Sequence, residues 1–407
     1  MIAQELKKIF DKKRVLLIVI LAVLFYILIF RQNIGIPVYS SERIHLDVSL
    51  TMIEKYGNEL DETEYRDLLN NFVYAKTSNA ENSNTGESNT EENDIKESNI
   101  DIWIKGNNDF RQYGIESYRD LLTVQDSLSD DAASSLTSQI YTRFTEEERK
   151  AALDQIWKEG YIEILVEAYD ADAKSNQQEV YYPEIPKKAD KRIKERNQEE
   201  IYSLMPDNVM RNYLAILPDF AIFLFLSMIL LTVPYSVKDT MEVINVLQYV
   251  SQKGCRYYWK KAAAVFISSV ILCAVETGLF ALMLSKNDTF CFVYCFVSGF
   301  RNPFITFMKL TFGQYIIMSM VYTAAIALCL SMITYGLSSC AHNYISAIAF
   351  QIPVIIFSIA VSLMLMPRFA EITQSILLLF LIPLICLFAA IIGNVVRFLS
   401  IKYYEQV

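Results

Sequence analysis

One acidic residue in this chain stands where water should be absent. Glu276 lies in Cys273-Ala274-Val275-Glu276-Thr277-Gly278, midway along an apolar run from Ala262 to Ser285. In a bilayer-crossing segment a carboxylate is costly unless it is paired, protonated or hydrated, so it should face a helix bundle or a pathway rather than lipid. Two roles are open for it. It either makes a structural hydrogen bond between helices as a neutral acid beside a hydroxyl, or it takes part in substrate passage or in contact with a second chain.

Residues for bond-breaking chemistry are scarce. The two histidines, His45 and His342, fall in distant segments, and neither belongs to a Cys/His/Asp cluster at metal spacing. No Gly-x-Ser-x-Gly elbow and no His-Glu-x-x-His appear. A Gly-x4-Gly-Lys-Ser/Thr phosphate loop is missing too, so any ATP the protein uses must be bound by another chain.

A second informative stretch runs from Lys238 to Lys261. Met241, Ile244, Leu247 and Val250 recur every third residue and make one apolar stripe on a helix. Gly254 is suited to end that helix in a left-handed conformation, and Arg256, Lys260 and Lys261 follow. Such a helix can dock in a groove of a soluble partner or lie on the lipid with its basic end against anionic headgroups, and the residues leave both readings open.

These features are positioned by apolar segments of membrane-spanning length, for which about 20 mostly apolar residues are needed. The runs are residues 15–30, 214–236, 262–285, 310–334, 344–366 and 373–396. The expected fold is an all-α membrane protein with six transmembrane helices and a mostly α extracellular domain, residues 31–212, inserted between helices 1 and 2. Residues 1–13 read as a cytoplasmic interfacial helix, with Ile2, Leu6, Ile9 and Phe10 on one side and lysines on the other. Arg14 and Arg31 bracket the short first run and are expected to snorkel to the two interfaces. No small-x-small cleavage site follows it, which favours an uncleaved anchor over a signal peptide.

Charge divides the same way. The chain carries a net charge of −9, but residues 31–212 alone hold 21 Lys and Arg against 37 Asp and Glu, and the remainder is basic. Basic residues gather at Lys7 to Arg14, Lys238 to Lys261 and Arg397 to Lys402. Positive flanks stay inside, so both termini, the 238–261 loop and the 397–407 tail are expected in the cytoplasm of a multi-pass protein. The acidic insert lacks cysteine, all seven of which follow residue 254. A disulfide-free outer domain favours a bacterial cell surface, and its charge suits either solubility or attraction of a cationic peptide.

Within the insert, Leu46, Ile53, Tyr56, Leu60, Leu68 and Phe72 suit one or two helices. Residues 77–101 are rich in Asn, Ser, Thr and Glu and are expected to be disordered. Thr145 and Glu148 form a capping-box signature opening a helix through Leu153 and Ile156. A small strand is expected at Tyr161–Val166, a break at Pro183 and Pro186, and a charged helix over 187–203. Residues 286–309 form an extracellular loop whose apolar part, 290–300, is too short to cross and reads as a re-entrant or interfacial turn. Cys291 and Cys295 there read as ordinary apolar cysteines.

Taken together, these segments resemble a bacterial ABC-2-type transporter permease, the six-span membrane half of an ABC exporter. The resemblance covers residues 1–36 and 200–407. It rests on the interfacial N-terminal helix, the large domain after span one, the loop with Glu242, Ser251, Gly254, Arg256 and Lys260, and Phe312-Gly313-Gln314-Tyr315 opening span four, as in low-GC Gram-positive members. One departure is Val243-Ile244-Asn245 after Glu242, where family loops often carry a Gly-Thr-like pair.

The resemblance implies a non-enzymatic permease in the bacterial plasma membrane, paired with a second permease chain, itself or a related one. An ABC ATPase subunit would bind the ATP and Mg, and this chain would carry no cofactor. Met241, Glu242, Ile244, Leu247, Val250, Gly254 and Arg256 would couple to that ATPase, and Glu276 would line the translocation or dimer pathway. The substrate would be a peptide, lipid or drug-like molecule moved outward, and no nucleic-acid partner is expected. The competing reading is a membrane-anchored receptor or secretion-accessory scaffold of the same topology that works without an ATPase.

Overall fold

The computed structural model describes residues 2–31, 41–69, 98–124, 127–175, 203–241, 254–299, 304, 306–371 and 374–406. In chain order its helices are α1 (Ile2–Ile9), α2 (Lys12–Phe25), α3 (Ser41–Tyr56), α4 (Asn99–Gly106), α5 (Asn108–Arg111), α6 (Tyr118–Val124), α7 (Asp130–Arg143) and α8 (Glu146–Ser175). They continue as α9 (Asp207–Met241), α10 (Gly254–Leu284), α11 (Phe312–Ser338), α12 (Tyr344–Leu365) and α13 (Ile376–Gln406). A π-helical turn, Tyr26–Phe30, prolongs α2. Among the described residues β-pairing is limited to isolated bridges. The chain divides into two compact units: Met1–Ile36, Glu179–Ile201 and Met205–Val407 form one, Pro37–Gln178 and Tyr202–Leu204 the other.

The first unit holds six helical segments long and apolar enough to cross a membrane, Lys12–Phe30, Asp207–Lys238, Tyr257–Leu284, Phe312–Ser338, Tyr344–Arg368 and Ile376–Lys402. Most outrun the apolar segments of the sequence, because a helix keeps its hydrogen bonds into the interface where polar side chains are again solvated. The 27 residues of α11 make a helix of roughly 40 Å, longer than the ~30 Å hydrocarbon core. Pro218 and Pro234 in α9, Pro353 in α12 and Pro383 in α13 lie inside helices, where neighbouring helices help satisfy the freed carbonyls.

Burial ranks the spans. The most apolar stretch of α9 is 67% buried, while those of α2 and α13 are 17% buried. Helix α9 packs against α2, α11 and α12, and α11 against α10 and α13. The outer helices present leucine, isoleucine and valine outward, as at Leu16, Leu28, Leu377 and Val396, which suits a lipid solvent.

Hydroxyls and amides join these helices. Ser331 of α11 pairs with Thr232 of α9 (3.3 Å) and Ser269 of α10 (2.5 Å). Tyr213 of α9 pairs with Ser319 of α11 (2.6 Å). Tyr258 of α10 donates to Asn394 Oδ1 of α13 (2.8 Å), whose Nδ2 donates to the Met332 carbonyl of α11 (3.0 Å). Each such bond in a membrane contributes on average about 0.6 kcal/mol.

At the start of α11, each residue of Phe312-Gly313-Gln314-Tyr315 has a local job. Gln314 completes a capping box with Thr311. Phe312 is buried, and the Tyr315 hydroxyl donates to the Phe369 carbonyl (2.9 Å). Gly313 lets the 3-10 turn Asp288–Tyr294 pass close by: a Cβ there would stand 2.6 Å from Val293 Cγ1. That turn takes up residues 288–294 of the 286–309 loop, and Cys291 and Cys295 are both free thiols.

The second unit is built from α3 to α8. Ile100, Ile104, Phe110, Ile115, Tyr118, Leu121, Leu136 and Ile140 form a core, with Leu153 and Ile156 of α8 against it. Thr145 and Glu148 make the expected reciprocal bonds at the start of α8 (2.9 and 3.3 Å). The strand expected at Tyr161–Val166 is instead part of α8. Tyr161 and Leu165, four apart, share a buried face, and Tyr161 stacks on His45 of α3 with centroids 4.0 Å apart. The end of the segment expected to be disordered, 77–101, is also helical: Ser98 caps α4 by accepting from Asp101 N. Its earlier part, Phe72, Pro183, Pro186 and residues 187–202 of the expected charged helix lie outside the described residues.

Candidate functional site

At one end of the membrane unit, α1 is fastened to the two helices that flank residues 242–253. Glu5 of α1 is 3% exposed. Its Oε2 accepts from the Tyr235 hydroxyl of α9 (2.7 Å), and its Oε1 from the Tyr257 hydroxyl of α10 (3.1 Å) and from Lys8 Nζ (2.8 Å). Burial alone would raise the Glu5 pKa, but Lys8 and the two tyrosine hydroxyls together outweigh it and hold the carboxyl below its usual range.

Cations complete the junction. Arg14, expected to snorkel outward, is buried instead: Nη1 donates to the Ile9 carbonyl (3.1 Å), and the guanidinium lies 5.9 Å from the centre of the Tyr235 ring. Lys261, also buried, puts its ammonium 4.8 Å from the Tyr257 ring centre. A compact charge–aromatic cluster thus ties the entry and exit of one inter-helix connection to the N-terminal helix.

The residues singled out in that connection fall unevenly. Met241 ends α9 and is exposed. Glu242, Ile244, Leu247 and Val250 lie outside the described residues. Gly254 is the first described residue after Met241 and lies in α10, with Arg256 in the same helix. Sequence reasoning missed Glu5, Tyr235 and Tyr257. The one available signal was an acid three residues before a lysine in a basic leader, a pairing that explains Lys8 but points to neither tyrosine.

Glu276 lies elsewhere in the same unit. It is 5% exposed, and neither carboxylate oxygen has a hydrogen-bond partner. Ser227 of α9 is close by, but its hydroxyl donates to the Phe223 carbonyl (2.9 Å). The Ser227 oxygen remains able to accept from a protonated Glu276, but no such bond meets hydrogen-bond geometry here. Instead Glu276 lines an apolar groove of about 360 Å³ between α2, α9 and α10, along with Phe30, Phe220, Phe223 and Phe280.

A bundle of six apolar helices with buried polar cross-links, a fastened amphipathic leader and an apolar groove holding one acid is the architecture of a multi-pass membrane transporter. The chain belongs to the ABC-2 family of transporter proteins, whose family profile matches residues 14–402. That match runs through the insert as well as the spans and begins after α1. No curated protein and no solved structure matches the chain. The protein is thus the membrane component of an ABC transporter, and the family does not describe a catalyst.

Proposed function

We propose that this chain is the permease subunit of an ATP-driven ABC exporter, moving a peptide, lipid or drug-like substrate outward with ATP hydrolysed in a separate subunit. Family membership over 14–402 supports the transport half of this reading. The observation that carries the coupling half is the Glu5 junction, where one carboxylate holds the last turns of α9 and the first turns of α10 together.

In this reading both termini and residues 238–261 face the cytoplasm, as the basic clusters favour, and residues 31–212 form the extracellular domain. The ATPase, which binds ATP and Mg, presses on the 238–261 connection through Met241, Glu242, Ile244, Leu247, Val250, Gly254 and Arg256. Because Tyr235 and Tyr257 grip the same acid, a push on that connection moves α9, α10 and α1 as one body. A second permease chain, identical or related, supplies the other half of the pathway in a bacterial plasma membrane.

The test is purification in mild detergent from the native membrane, with mass spectrometry of the accompanying chains. A near-stoichiometric ABC ATPase that is lost in Leu247→Asp is the expected result. An intact permease complex without an ATPase would overturn the exporter reading in favour of a receptor or scaffold.

A further inference from the structure

The groove beside Glu276 combines features rarely met together in lipid. Its volume, about 360 Å³, falls in the range of small-molecule sites, roughly 300–1,000 Å³. Its lining is almost wholly apolar and includes five phenylalanines, Phe10 just after α1 and four from three helical segments. Phe220 and Phe280 stack with centroids 4.0 Å apart, Phe30 lies 6.1 Å from Phe280, and Phe223 lies 6.4 Å from Phe30. Into this lining the chain puts one carboxyl group, Glu276, with both oxygens buried and without a hydrogen-bond partner.

A buried acid without a partner is expensive. Aromatic faces and a carboxylate share one preference, which is for positive charge. The outward residues around the groove set the route of entry: Val275 and Leu279 flank Glu276 on α10 and are 54% and 62% exposed. On a bilayer-spanning helix those side chains meet lipid tails, so the groove opens sideways into the hydrocarbon. An occupant that dissolves in the membrane and carries a single positive charge on a largely apolar body would give the ionised acid the partner it lacks. An anion is repelled by the carboxylate, and a neutral lipid tail leaves the acid uncompensated.

We infer that this groove is a binding site for a hydrophobic monocation, with Glu276 as its counter-ion. That the bound cation is also the exported substrate rests on the exporter reading; the binding itself does not.

The experiment uses the full-length chain in lipid nanodiscs. Binding of radiolabelled tetraphenylphosphonium is compared with that of tetraphenylborate, which has the same shape and the opposite charge. Saturable binding of the cation, at least tenfold tighter than that of the anion, is expected. Glu276→Gln should weaken cation binding at least tenfold, Glu276→Asp should retain most of it, and Phe220→Leu should reduce it while the chain stays monodisperse and helical. Equal binding of the two ions, or cation binding unchanged in Glu276→Gln, would overturn the proposal. So would absence of cation binding together with efficient disulfide dimerisation of Leu279→Cys, since a second copy of the chain would then fill the groove. Failure here with an ATPase still co-purifying would leave the exporter reading standing, and binding without an ATPase would leave only the site.

Discussion

The Tyr235 hydroxyl donates to Glu5 Oε2 across 2.7 Å, joining residues 230 positions apart in the chain. Tyr257 reaches the other oxygen of the same carboxylate. The ends of α9 and α10, helices that also pack against each other, therefore share a buried acceptor on α1. Hydrogen bonds to a charged group contribute about 1.5–3 kcal/mol each, although Lys8, half exposed, adds less through solvent screening.

The first prediction follows from that sharing. Glu5→Gln keeps the shape of the side chain and removes the charge that Lys8 and both tyrosines answer. Docking of α1 should weaken by about 1–2 kcal/mol, which raises the undocked population roughly 5–30-fold. Ile9, 1% exposed on the same helix, supplies the reporter. In an Ile9→Cys background, maleimide labelling should be slow with Glu5 present and faster by that factor with Glu5→Gln. Equal labelling rates would mean that apolar contacts alone hold α1.

Acid should loosen the same junction. The folded-state pKa of Glu5 lies below the ordinary 4.5. A group with a depressed folded pKa stabilises fully above its unfolded pKa, and that contribution disappears as pH falls through the folded value. Labelling of Ile9→Cys, read with an acid-tolerant disulfide reagent, should be flat from neutral pH down to about 4.5 and then rise. In Glu5→Gln the rise should vanish.

How much of this was legible in the sequence differs by residue. The six spans were, because lipid demands long apolar runs and nothing else in the chain supplies them. The start of α8 was legible from Thr145 and Glu148, since a cap is local chemistry. Tyr161–Val166 was misread because its β-branched and aromatic residues suit a strand, whereas contacts with α3 set its structure: Tyr161 and Leu165 face inward at helical spacing and Ile164 stays exposed. On α1 the apolar pattern put Ile2, Leu6, Ile9 and Phe10 together on one side of an interfacial helix, opposite the lysines. The structure buries Ile9 together with Glu5 and leaves Ile2 exposed, because the tyrosines that make a buried acid tolerable come from helices more than 200 residues away. Glu276 was legible as an anomaly, but the groove beside it needed three helical segments in place.

The Asn394 cross-link gives a prediction about the bundle itself. Its side chain accepts from Tyr258 and donates to the carbonyls of Met332 and Ala390, so it ties α10 and α11 to α13. Membrane hydrogen bonds average about 0.6 kcal/mol, and Asn394→Ala also removes the acceptor of the buried Tyr258 hydroxyl. A loss of about 1–2 kcal/mol is expected in reversible unfolding from mixed micelles. Tyr258→Phe in the same background should add little, because both changes break one bond. A fully additive double variant would show that the two residues act independently.

Gly313 offers the sharpest steric test. A Cβ built there meets Val293 Cγ1 at 2.6 Å and the Val293 carbonyl oxygen at 3.1 Å. Valine is stiff at χ1, so its methyl cannot simply swing aside, and either the 288–294 turn or the first turn of α11 must move. Gly313→Ala should therefore destabilise by about 1–3 kcal/mol, the usual cost of overpacking. The small gain that alanine brings through its better helix propensity should be swamped. Val293→Ala removes the nearer contact and leaves the milder approach to the carbonyl, so the double variant should recover most of the loss. Melting temperatures of the four proteins in one detergent close the cycle. A double variant no more stable than Gly313→Ala alone would place the strain in the backbone of the turn rather than in the valine side chain.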